Sequence, residues 1–193
     1  MPDTTNQPAY MYEIIHHPHL KRQHGSFTLQ PIIQNFTHDT TIAMILLNPM
    51  SNALQATDEF CVMLAKKGYT RLYTHYLYTL IGSTEELAGL PPEDLISKSW
   101  AQRFDPIIMD LGTVVFAFDK PKDQEFAERV LKRAAEVGKR IRDLKPSLKI
   151  VCLGNDSIES FPKPIEALVS DDIPTLDDRI RADSASTRAR VNP

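Results

Sequence analysis

The chain alternates short apolar runs with amphipathic stretches. Thr41 to Leu47 (TIAMILL) is an almost unbroken apolar run that ends in Asn-Pro. Its length and continuity predict a buried strand of the kind found in parallel sheets. Asp58 to Lys67 carries Phe60, Met63, Leu64 and Ala65 and stops at Gly68, which predicts a short amphipathic helix with Thr57 or Asp58 as N-cap. RLYTHYLYTL (71–80) is aromatic and β-branched and predicts a second strand. GSTEELAGLPPEDL (82–95) is turn-rich, with room for one helical turn. Ser99 to Asp110 predicts a helix around Trp100, Phe104 and Ile108. TVVFAF (113–118) predicts a third strand, and LKIVCLG (148–154) a fourth. Between them, Asp123 to Leu144 places Phe126, Val130, Leu131, Ala134, Val137 and Ile141 on one face of a long helix.

The two ends are different in character. Tyr10 to Ile15 predicts a short strand, followed by a polar loop, HHPHLKRQHG. From Asp171 onward no periodicity remains. The expected organisation is an N-terminal strand and His-rich loop (1–40) packed on an α/β domain (41–170), then a flexible tail (171–193). Strands that alternate with helices predict a three-layer α/β/α fold around a central, mostly parallel four-stranded sheet. Ligands bind such sheets beyond the carboxyl ends of the strands. That rule selects Asn48 to Ala53, His75 to Ile81, Asp119 to Pro121 and Asn155 to Pro164.

Composition narrows the function. A length of 193 residues suits one domain, and the net charge of −3 argues against a generic basic nucleic-acid coat. The average hides an asymmetry. Residues 120–149 hold ten Lys/Arg against five Asp/Glu, whereas 150–183 hold three against eight. The basic stretch reads either as a solvated helix or as a face for phosphate. Cys61 and Cys152 cannot build a disulfide framework. No apolar run approaches the roughly 20 residues of a membrane span. The N-terminus lacks the basic and apolar regions of a signal peptide. The expectation is a reduced, cytoplasmic protein. With seven glycines and no Walker or dinucleotide loop, nucleotide-triphosphate and dinucleotide chemistry is not expected. His16, His17, His19 and His24 cluster without a recognisable metal-ligand spacing, so neither metal nor cofactor is expected.

Candidate chemistry lies at the strand exits. Asn48 is uncharged and can both donate and accept, so it can hold a water or a heterocycle edge in fixed orientation. Alone, Asn48-Pro49 is also an ordinary strand-ending turn. Asp58 and Glu59 could serve as a general base, or could cap a helix. His75, Tyr76 and Tyr78 offer base-reading and stacking groups, or core filling. Alternation along the strand makes at least one of His75 and Tyr76 structural. FPKPI (161–165) offers Lys163 as a phosphate contact, or is a plain Pro-rich turn.

LLNPMSNA followed by DEFCVMLAKKGY resembles the first motif of the mismatch-specific uracil and thymine DNA glycosylases, within the uracil-DNA glycosylase superfamily. Their Gly-Ile-Asn-Pro-Gly strand end falls on Asn48 and Pro49, with Met50 in place of the following glycine. Phe60 matches the helix aromatic, and Gly68-Tyr69 the closing Gly-aromatic. The superfamily's base-reading Asn falls on His75. Its loop after the last strand falls on Phe161 to Pro164, with Phe161 in place of His or Asn and Lys163 in place of Ser. The chain is closer still to an uncharacterised bacterial and phage domain family with a Leu-Asn-Pro-Ser motif. The likeness runs from about Thr41 to Ile165.

The resemblance implies a glycosylase-like fold and a monofunctional DNA glycosylase. Such an enzyme flips a base, hydrolyses its N-glycosidic bond and leaves an abasic site, without a cofactor. Asn48 would orient the attacking water, with Asp58 as a further catalytic candidate. Pro49, Met50, Ser51, His75, Tyr76 and Tyr78 would meet the base. Phe161, Pro162, Lys163 and Pro164 would meet double-stranded DNA. The departures at Met50, His75 and Phe161 point away from plain uracil, towards a modified base such as glucosylated hydroxymethylcytosine in phage DNA, hence antiviral defence. The alternative is a catalytically inactive nucleic-acid or nucleotide-binding module of the same fold.

Overall fold

The computed structural model describes residues 11–17, 22–32, 40–49, 58–152 and 161–162. A six-stranded mixed sheet runs through the molecule. Four of its strands are parallel: β3 (Thr41–Leu46), β4 (Arg71–Tyr76), β5 (Thr113–Phe116) and β6 (Lys149–Cys152). Two more, β1 (Met11–His17) and β2 (Arg22–Pro31), form an antiparallel hairpin joined to β4. The order across the sheet is β1-β2-β4-β3-β5-β6. The α/β class and the parallel strands agree with the sequence.

Three expectations are corrected. The sheet has six strands rather than four, because the N-terminal hairpin extends it. The expected polar loop HHPHLKRQHG lies largely in β1 and β2. Pairing between β1 and β2 satisfies that backbone whatever the side chains are, so side-chain polarity misleads there. The second strand stops at Tyr76 instead of running on to Leu80. The Leu77 and Tyr78 amides still donate to Leu46 O and Leu47 O, after which the Thr79 and Leu80 amides donate to Leu95 O instead.

Helices cover both faces. α1 (Asp58–Lys66) lies on one face, where Leu64 packs with Ile42, Met44, Leu72, Val115 and Ala117. Gly68, with φ of 94°, lets the chain turn after it. The other face carries α2 (Thr84–Ala88), α3 (Pro92–Leu95), α4 (Trp100–Asp110) and α5 (Gln124–Leu144). Alternation along β3 sends Ile42 and Met44 to the α1 face, and Ala43 and Ile45 to the α4–α5 face. Asp123 caps α5 by accepting from the Phe126 amide at 2.7 Å.

α5 also clamps its neighbours. Arg129 donates to the carbonyls of Leu87, Ala88 and Leu90, which closes the end of α2. Lys145 Nζ donates to Met109 O and Leu111 O at the end of α4. Cations here meet the negative ends of helix dipoles and the carbonyls that a helix leaves unpaired. Arg129 and Lys145, two of the ten basic residues in that stretch, are therefore spent inside the fold.

Candidate functional site at the strand exits

The crossovers define where the sheet opens. From β3 the chain passes through α1 to β4 on one side. From β4 it crosses β3 to reach β5 on the other. The strand order reverses between β3 and β5, so the crevice lies beyond their carboxyl ends. Asn48 and Pro49 follow β3, and Phe118 and Asp119 follow β5. The Ala117 amide donates to Ile45 O at 3.0 Å, which holds the two exits together as far as that point.

Asn48 is only 7% exposed. Its Nδ2 donates to Gly82 O at 2.8 Å, with a longer contact of 3.5 Å to Pro49 O. The amide is thus fixed from its donor side, and Oδ1 is the acceptor left to orient a proton-bearing group. A Cβ at Gly82 would stand 2.9 Å from Glu86 Oε2 and 3.2 Å from Leu87 Cδ1, so a side chain there would have to displace the carboxylate of Glu86. Glu86 Oε2 is itself held by the Ser83 amide at 2.7 Å, in the capping box of α2. The Gly82–Glu86 corner therefore positions Asn48, a partnership 34 residues apart that only the exit geometry reveals.

The other sequence candidates divide. Pro49 is buried beside Asn48. Tyr78 joins the exit through its amide, which donates to Leu47 O at 2.9 Å. Its ring stacks on Phe126 at 5.6 Å, and burial pushes its hydroxyl up to about 12 despite nearby Arg129 and Arg133. It can donate a hydrogen bond but does not ionise near neutrality. Phe161 lies edge-to-face with Phe118 at 6.3 Å and packs on the core, with Pro162 buried after it. The segment after β6 thus returns to the exit of β5.

His75 and Tyr76 are both about 1% exposed. His75 pairs in register with Ile45, inside the sheet, and not with Asn48. Its ring stacks on Tyr73 at 6.1 Å and meets the Phe104 edge at 5.1 Å beneath α4. Burial pulls its pKa from 6.5 to about 3, so the ring is neutral in the fold. The structure does not bring His75 to the crevice. Tyr76 gives its carbonyl to Trp100 Nε1 at 3.1 Å. Asp58 opens α1, but its side chain is outside the described residues, as are Met50, Ser51, Lys163 and Pro164. Sequence reasoning placed Asp119 only within a loop of interest. The structure leaves it exposed at the exit of β5, followed by exposed Lys120 and Lys122.

Among the described residues, no group of three or more His, Cys, Asp or Glu is arranged to hold a metal ion. No helix among them is long and apolar enough to cross a membrane. No protein-family model matches the chain, and no curated protein sequence aligns with it significantly.

Proposed function

We propose that this chain is a monofunctional DNA glycosylase of uracil-DNA glycosylase-like fold that acts on a modified base in double-stranded DNA. The observation that carries this reading is Asn48. It stands at the topological switch point with its amide nitrogen tied to Gly82 O and its oxygen available. A fixed acceptor at that place orients a water for attack on C1′ of the sugar. As the C1′–N bond breaks, its electron pair leaves with the base. The ring gains oxocarbenium character, which neighbouring phosphates stabilise.

The water must also lose a proton. Asp58, at the start of α1, and Asp119, after β5, are the two carboxylates proposed for it. Asp119 follows Phe116 by three residues, as Asn48 follows Phe116's register partner Ile45, so both stand at the exits of the neighbouring strands β5 and β3. The departures at Met50 and Phe161, and the burial of His75, favour a substrate other than plain uracil, with glucosylated hydroxymethylcytosine in phage DNA the example proposed.

The deciding experiment incubates the protein with DNAs that carry different cytosine modifications, then cleaves abasic sites with alkali. Strand breaks confined to one modification support the glycosylase. DNA binding without breaks on any substrate replaces it with the inactive binding module of the same fold.

Phosphate contact makes a separate prediction. Lys120 and Lys122 flank the crevice and are exposed, and Lys163 lies in the post-β6 loop. Each phosphate contact contributes about 0.9 to the slope of log K against log salt. Replacing Lys120 and Lys122 together by Gln should flatten that slope by up to about 2 and weaken binding to many sequences alike. An unchanged slope would place the DNA elsewhere.

A further inference from the structure

We propose that the cleft between α4 and α5 binds a small anion carrying a phosphoryl group, either free phosphate or a phosphate monoester. The cleft has a volume of about 340 Å³, at the small end of ligand sites. Its floor is apolar, formed by Ile96, Trp100 and Val137, and its rim carries Lys98, Arg133 and Arg140 against a single carboxylate, Glu136. None of these residues belongs to the strand-exit site, so the proposal stands apart from the glycosylase reading.

Arg133 is the built element. Its guanidinium lies 4.4 Å from the centre of the Trp100 ring, and its Nε donates to Leu77 O at 3.2 Å. Phe104 also stacks on Trp100, at 4.4 Å between ring centres. The cation is held rigidly with only 15% of its side chain exposed. Burial, the largest influence on it, lowers its pKa. A positive charge in a half-dry wall calls for an anion. What it has is one 3.4 Å contact to Glu136, whose side chain is 53% exposed. A contact of that length and exposure is weak and readily displaced.

The rest of the rim adds to the field. Arg140 is oriented by two hydrogen bonds to Asp105, which lies outside the cleft lining. Lys98 is exposed, so its ammonium can swing towards a ligand as a point charge. A dianionic phosphoryl group would meet Arg133 and Lys98, with Arg140, already paired with Asp105, beside them, and the organic part of an ester would lie against the apolar floor. Charge-assisted hydrogen bonds of this type are roughly twice as strong as neutral ones.

Isothermal titration of the full chain with inorganic phosphate, adenosine 5′-monophosphate and adenosine tests the site. Phosphate and the monophosphate should bind saturably, and adenosine should not. The tighter of the two anions identifies the source. Lys98→Ala, at an exposed position, should weaken binding about tenfold while the fold is kept. Arg133→Met should abolish it. Glu136→Gln should strengthen it several-fold, because the competing carboxylate is removed, an opposite sign that general loss of structure cannot produce. Absence of saturable binding at millimolar anion, or equal affinity in Lys98→Ala and Glu136→Gln, overturns the proposal.

Discussion

Asn48→Ala should reduce base excision by about 10² to 10⁴ under single-turnover conditions, while DNA binding falls much less. The side chain is neutral, so its part in the proposed chemistry is to orient a water rather than to take its proton. Loss of an oriented nucleophile raises the barrier by several kcal/mol. Affinity is carried chiefly by phosphate contacts, which this substitution leaves alone. The variant also loses the hydrogen bond to Gly82 O, a stability cost of about 1 kcal/mol. Excision and thermal melting should therefore be measured together. A modest fall in melting temperature with excision gone supports the role. Near-wild-type excision per folded molecule would remove Asn48 from the mechanism. Asp58→Asn and Asp119→Asn, compared through their pH–rate profiles, would then identify the base, since loss of the true base removes the acid limb.

His75 should make the protein sensitive to acid. Its pKa falls from 6.5 to about 3 on burial, so protonation favours the unfolded chain. The stability tied to this group is complete above about pH 6.5 and is lost as the pH falls towards 3. At about 1.4 kcal/mol per unit, the loss between pH 7 and pH 4 is on the order of 3 kcal/mol. Urea unfolding of the native protein and of His75→Leu at both values measures it. The leucine should pack beside Tyr73 and Phe104, and its stability should fall less between the two pH values by about that amount. An equal fall in both proteins would show that other groups drive acid unfolding.

The parallel core was legible because its side chains report burial directly. TIAMILL and TVVF are buried strands on both faces, and such runs have few other meanings. The 21-residue α5 was legible from its 3.6-residue spacing. Of the hairpin, β1 was legible at Tyr10 to Ile15, but β2 was not, because RQHGSFTLQP is largely polar and owes its place to pairing with β1 and β4. β4 was read too long because Leu77 to Leu80 has strand composition, although the Thr79 and Leu80 amides turn away to Leu95. The resemblance to the superfamily's base-reading strand carried His75 to the crevice in the sequence reading, whereas the register with Ile45 buries it. Asn48 stood out as the polar residue that ends an apolar run. Gly82 and the Arg133 cleft did not, since each depends on contacts between segments far apart in sequence.

The hairpin has a consequence for where the chain can be cut. β2 pairs with β4 along Arg71 to His75, so it occupies what would otherwise be the outer rim of the parallel sheet. A fragment beginning at Thr41 would keep all four parallel strands but leave that rim bare. Bare strand edges recruit further strands, including those of identical molecules. β2 thus guards that edge against self-assembly, and the natural-looking boundary before Thr41 is the place where trimming would favour aggregation.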